Sequence, residues 1–175
     1  MGKNYKFRFL LILLLVISIL FSIIEIPVLT LKHYQKNEIL YSFYIKENDE
    51  FLVKWMHSVE LTPWEEIFRI KNNKIILDRT KFKQFGAGVP DQATGDILFE
   101  DGYIIYDNIN QKINLIPYGI SKFAKHTFIF KNTNVRLYKL VTDGDRINFY
   151  TENINIFKYI YRKIDSIIIN KKDLN

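Results

Sequence analysis

The segment His57-Ser58-Val59-Glu60-Leu61-Thr62-Pro63-Trp64-Glu65-Glu66 places a histidine, a serine hydroxyl and three carboxylates within ten residues. A second segment, Phe85-Gly86-Ala87-Gly88-Val89-Pro90-Asp91, is a compact run of small residues, and His126 lies farther along the chain. Three kinds of chemistry come to mind. A serine beside a histidine suggests a nucleophile and its base, but neighbours on a strand point to opposite faces, and no G-x-S-x-G elbow exposes Ser58. The spacing therefore argues against a hydrolytic triad. His57, Glu60, Glu66 and His126 offer the donor types of a metal site, with an open position for water in a metal-dependent enzyme, although no H-x-H or H-E-x-x-H spacing is present. The plainer alternative has Glu60 or Glu66 capping turn amides while His57 donates to a neighbouring carbonyl. Gly86-Ala87-Gly88 can expose successive backbone N–H groups as an anion-binding nest, or form a tight turn whose glycines adopt positive φ. It is not a P-loop, because no Gly-Lys-Ser/Thr follows, and no helical pattern follows to make it a dinucleotide fingerprint.

The elements that must position these residues are mainly strands. Phe51, Val53, Trp55 and His57 alternate with Leu52, Lys54, Met56 and Ser58, which predicts a strand with an apolar face. Further short runs rich in Ile, Val, Phe and Tyr are expected at 39–46, 65–71, 75–78, 103–106, 113–118, 127–130, 135–141 and 147–150. Asn72-Asn73, Asp101-Gly102, Asn108 to Asn110 and Asp143-Gly144 separate them as turns. Such spacing predicts a mainly β fold, an antiparallel β-sandwich or a partly open barrel. No β-α-β alternation precedes residue 150, which argues against a doubly wound nucleotide-binding sheet. Beyond it, Ile156, Ile160, Ile164, Ile167 and Ile168 recur at helical spacing and predict an amphipathic helix over 154–169. That helix either closes one end of the sandwich or lies at a membrane surface with Tyr159, Tyr161 and its lysines at headgroup level.

At the other terminus, Phe9 to Ile24 is uncharged and apolar. Sixteen helical residues span only ~24 Å, against ~30 Å of hydrocarbon. A helix from Tyr5 to Ile26 with snorkelling ends is long enough, and Pro27 would mark its end. A cleaved signal peptide needs small residues at its cleavage site, and the first alanine is Ala87, so an uncleaved signal anchor is the reading taken. Lys3, Lys6 and Arg8 would hold the N-terminus in the cytoplasm and leave the remainder of the chain outside. The expected organisation is then residues 1–32 as cytoplasmic terminus and anchor, 33–152 as an extracytoplasmic β domain, and 153–175 as C-terminal helix and tail.

The 175-residue chain has 25 Lys and Arg against 19 Asp and Glu, and no cysteine. Four of those cations and one of the acids lie at or before Lys32, so 21 against 18 remain beyond it. The remaining lysines are scattered without a basic stripe, which argues against nucleic acid as a partner. Without cysteine there is no disulfide framework, thiolate metal site or cysteine nucleophile.

The two segments together carry a resemblance. H-S-V-E-x-T-P-x-x-E, met by His57, Ser58, Val59, Glu60, Thr62, Pro63 and Glu66, is followed by F-G-A-G-x-P from Phe85 to Pro90. In this the chain resembles a bacterial family classed as a domain of unknown function. The genes of that family often sit beside the fused permease of a TRAP transporter of the TAXI type. The likeness covers about Glu50 to Tyr150, and Ala124-Lys125-His126 fits an A-x-H-like element of the family. Members usually carry an aliphatic residue where Trp64 stands, and the tail beyond Tyr150 looks like an extension. The resemblance implies a transport context: a non-enzymatic accessory or binding module of a TRAP-type uptake system, without a cofactor. Its partner would be the permease or its solute-binding protein, and its working surface would comprise His57, Ser58, Glu60, Glu66, Gly86, Ala87, Gly88 and His126. A metal-dependent envelope enzyme and a purely structural envelope protein are the other classes considered.

Overall fold

The computed structural model describes residues 3–84 and 95–172, with side chains described for 5–84 and 95–166. The Gly86-Ala87-Gly88 loop thus lies outside the described residues. Among the described residues an apolar helix, α1 (Lys3–Ile23), leads into twelve strands and a closing helix. Four strands form one sheet in the order β2 (Glu38–Tyr44), β1 (Glu25–His33), β12 (Arg146–Asn155) and β9 (Ile116–Gly119). The larger sheet runs β11 (Thr133–Arg136), β10 (Thr127–Phe130), β3 (Glu50–Met56), β4 (Pro63–Lys71), β5 (Lys74–Phe82), β7 (Tyr103–Asp107) and β6 (Asp96–Glu100). An eighth strand, β8 (Gln111–Ile113), pairs with β5 off that path. Among the described residues every pairing is antiparallel, and neither sheet closes into a barrel. The C-terminal helix α2 (Ile156–Lys172) packs on β2 and β12.

The core lies between the two sheets, where alternation sends every second side chain inward. Phe51 stacks on Phe68 with centroids 4.8 Å apart, and Phe128 meets Phe149 of the facing sheet edge-on at 5.6 Å. Leu29, Leu31, Ile147 and Phe149 fill the same space from the smaller sheet, all fully buried. The turns follow the expected chemistry. Asn72 and Asn73 both adopt positive φ (50° and 54°) between β4 and β5, and Asp101 and Gly102 do so (51° and 74°) between β6 and β7. That left-handed pair gives the tight turn whose twist matches two antiparallel strands.

Several expected boundaries moved for physical reasons. The N-terminal helix stops at Ile23, and Ile26 to Leu31, which reads as a continuation of the membrane segment, belongs to β1. That strand shows no alternation because both its faces are covered: Leu29 and Leu31 face the core, while Thr30 meets α2 through Arg162. The single strand expected over 113–118 is two strands in different sheets, the chain crossing from β8 to β9. The expected strand over 135–141 ends at Arg136, and Leu137–Lys139 form a 3₁₀ turn that buries Leu137 in the core. β6, whose five residues are all exposed, escaped the sequence pattern altogether.

Candidate functional site

At one end of the sandwich the inner faces cease to be purely apolar. Along β4, Phe68, Glu66 and Trp64 share the inward face, opposite Phe51, Val53 and Trp55 of β3. The register of β10 on β3 pairs Thr127 with Lys54 and Phe128 with Val53, which sets His126 beside Trp55. From the opposite sheet, Tyr118 of β9 reaches in. Glu66 and His126 therefore stand two residues along the chain from the core phenylalanines Phe68 and Phe128, and the Tyr118 phenol joins them. An open cavity of about 410 Å³ forms there, lined by Trp55, Met56, His57, Ser58, Trp64, Glu66, Ser121, Ala124 and His126.

The polar groups are tied together. The Tyr118 hydroxyl donates a short hydrogen bond to Oε2 of Glu66. Among the described residues it is the hydrogen-bond partner of that carboxylate, and no Lys or Arg pairs with it. Burial raises Glu66 above its usual 4.5, and the bond from Tyr118 offsets part of the rise. Burial, the Glu66 charge and the same hydrogen bond push Tyr118 well above the usual 10, so it stays a neutral donor at physiological pH. His126 is buried (8% exposed), and that burial draws it below its usual 6.5. Its Nδ1 accepts the Ser121 N–H at 3.2 Å, so the neutral ring carries its proton on Nε2. Trp64 brings an indole N–H that is buried and has no partner among the described residues.

A ladder of rings joins the two histidines. His126 stacks on Trp55 (5.7 Å, 19°), Trp55 on Trp64 (5.9 Å, 21°), and Trp64 on His57 (5.5 Å, 25°). Phe82 then packs on Trp64 at 4.8 Å. Cross-strand pairing of Trp55 with Trp64, and of Trp64 with Phe82, dictates this stack.

The sequence-derived site is brought together in part. His57, Ser58, Glu66 and His126 all line the cavity, with Ser58 at its exposed rim. Glu60 does not line it. Its N–H donates to His57 Nδ1 at 3.3 Å within the turn, so the histidine accepts where it was expected to donate. His57 and His126 face the same cavity, but two indole rings stand between them. Among the described residues no group of three or more His, Asp or Glu side chains is placed to hold a metal ion, so the convergence that the metal reading needs is missing. Sequence reasoning passed over Tyr118, Trp55 and Ser121. Trp55 carried the available signal, the inward parity it shares with Val53 and His57.

Comparison with known protein families bears on this region directly. A family model described as "Domain of unknown function (DUF1850)" matches residues 51–137. Residues 51–137 carry a DUF1850 domain. The DUF1850 match begins in β3 and stops at Leu137, short of the Tyr150 that the motifs suggested. It takes in every cavity-lining residue, while α1, β1, β2, β12 and α2 lie outside it. No curated protein and no solved structure matches the chain.

Proposed function

We propose that this protein is a membrane-anchored, extracytoplasmic binding module that holds a small carboxylate-bearing ligand in the aromatic cleft, as an accessory of a TRAP-type solute uptake system. The observation that carries the reading is the inward-facing set of Glu66, Tyr118 and His126 at the open end of an otherwise apolar core. Buried polar groups cost stability unless they serve something, and here Glu66 and His126 line an open cavity, with Tyr118 bonded to Glu66. His126, which lines the cavity, has its Nε2–H without a partner among the described residues, and that is a donor a carboxylate needs. Glu66, raised by burial, shares a proton with such a ligand when protonated and repels it when ionised. Binding should therefore tighten as pH falls through the raised value of Glu66.

The distance of the cleft from α1 fits a domain held clear of the membrane. α1 is long and apolar enough to cross a membrane, with Tyr5–Ile23 unburied. Tyr118 pairs with Ile147, which pairs with His33, the ninth residue of β1. Eight strand residues put that level about 26 Å along the strand direction from the end of α1. The N-terminus is read as cytoplasmic from Lys3, Lys6 and Arg8, which would present the cleft to the exterior and to a solute-binding protein. The transport context rests on the gene neighbourhood of the family that the two motifs resemble.

The experiment is a pull-down of the tagged, membrane-extracted full chain from its native host, with wild-type protein and Glu66→Gln in parallel. Recovery of a TRAP permease or its solute-binding protein, altered by the substitution, is the expected result. A preparation that brings down neither contradicts the accessory role.

A further inference from the structure

α2 is amphipathic in the reverse of the usual sense. A surface helix normally turns its apolar stripe to the core. Here the side facing the sheet holds a polar network: Arg162 Nη1 bonds Glu152 Oε1 at 2.8 Å and Ser42 Oγ at 3.3 Å, and Ser166 is buried nearby on the same face, with Ile156 and Tyr159 half-buried. Thr30 also donates to Glu152 at 2.8 Å, which closes the network. The side facing away carries Phe157, Ile160, Tyr161 and Ile164, at i, i+3, i+4 and i+7, and all four are exposed. Ile160 and Ile164 thus point outward, as the membrane-surface reading of this helix requires and the sandwich-closing one does not, because the Arg162–Glu152 pair fixes the helix by its opposite side.

The stripe has a neighbour that indicates its surroundings. The ring of Phe157 lies 5.7 Å from that of Phe21, in the last turn of α1. The exposed face of α2 therefore begins where the apolar helix ends. We infer that α2 lies in the headgroup layer of the bilayer that α1 crosses, its Phe157-Ile160-Tyr161-Ile164 face sunk toward the acyl chains and Lys158 and Lys163 at phosphate level. This rests on α1 being a membrane anchor. It adds a second attachment that sets the tilt of the whole sandwich on the membrane. A helix presenting an apolar face with flanking lysines sinks about 5–10 Å into the headgroup boundary. Arg162 and Glu152 act as the pin that keeps this face turned to lipid.

The test exploits the absence of cysteine from the chain. Single substitutions Ile164→Cys, Tyr161→Cys, Leu13→Cys and Lys122→Cys are labelled with an environment-sensitive fluorophore in the full chain, reconstituted in vesicles of zwitterionic and anionic phospholipid. All four positions are exposed, so none disturbs the fold. The expected result is quenching at 161 and 164 by shallow lipid-attached quenchers, with iodide quenching severalfold weaker than at 122. The label at 13 should respond to deep lipid quenchers. If 13 responds to lipid while 161 and 164 are quenched by iodide as strongly as 122, the interfacial placement is overturned and the anchor stands. If 13 fails to respond, the anchor fails and the inference falls with it. Protection at 161 and 164 that ignores lipid quenchers and grows with protein-to-lipid ratio points to a second copy on this face, and also overturns the inference.

Discussion

Replacing Tyr118 by Phe removes the one hydroxyl bonded to Glu66 and keeps the ring, which packs edge-on against Phe149 at 5.2 Å and against Trp55 at 6.0 Å. The cost should therefore come from the carboxyl and depend on its charge. At pH 8, where Glu66 is ionised to the greatest extent, the substitution leaves a buried carboxylate without its donor, a loss of about 1–3 kcal/mol or somewhat more for a charged group. At pH 4 the carboxyl is protonated and the loss is that of a neutral hydrogen bond, ~0.5–1.5 kcal/mol. The linkage runs in the same direction. Glu66 is raised above 4.5 in the folded state, so its contribution to stability is full below that value and declines as pH rises through the folded one. Tyr118 is the group that holds Glu66 down, and without it the decline steepens. For a domain of this size each kcal/mol moves Tm by roughly 2–4 °C. Thermal unfolding of the full chain in detergent, followed by tryptophan fluorescence, should show a drop of about 4–8 °C at pH 8 and about half of that at pH 4. Equal drops at the two pH values, or a larger one at pH 4, would refute the placement of an ionisable, buried Glu66 against Tyr118.

Two other perturbations probe the frame around the cleft. Arg162→Ala should cost about 1–2 kcal/mol at pH 7 by chemical denaturation, a figure reduced because both partners keep some contact with water. Burial pushes Glu152 up, but its bonds from Arg162 and Thr30 outweigh this and hold it below 4.5, so the penalty should fade as pH falls through that lowered value. Gly95→Ala should disrupt the β6–β7 hairpin, because Gly95 sits at φ +105° and a Cβ there would meet the Asp107 carbonyl oxygen at 2.0 Å. Faster amide exchange confined to 96–107 is the expected signature, with the cleft fluorescence unchanged.

What the sequence revealed and what it hid divide along a physical line. Local rules sufficed for the hairpins at Asn72-Asn73 and Asp101-Gly102, where a left-handed pair is needed, and for the inward parity of Phe51, Val53, Trp55 and His57. They did not suffice for β1, whose two covered faces mimic a membrane segment. The cleft was half legible. The H-S-V-E turn marks itself by composition, and Glu66 and His126 both lie within the residues the DUF1850 model matches. The Tyr118 partner of Glu66 is 52 residues away and arrives from the other sheet, so no local pattern announces it. The face that α2 turns outward was left between two readings for a related reason: the Arg162 bond that turns the helix goes to strands far away in sequence.

The central claim is that the cleft binds a small carboxylate, and the chain carries its own reporter. Both of its tryptophans, Trp55 and Trp64, line the cavity. Titrating the full chain in detergent with a panel of small carboxylic acids at pH 5 and pH 8 should change tryptophan fluorescence saturably for at least one acid. Binding should be tighter at pH 5, and Glu66→Gln should abolish the difference. A panel that leaves the fluorescence of both tryptophans unchanged at both pH values, or binding that is tighter at pH 8, would contradict the account.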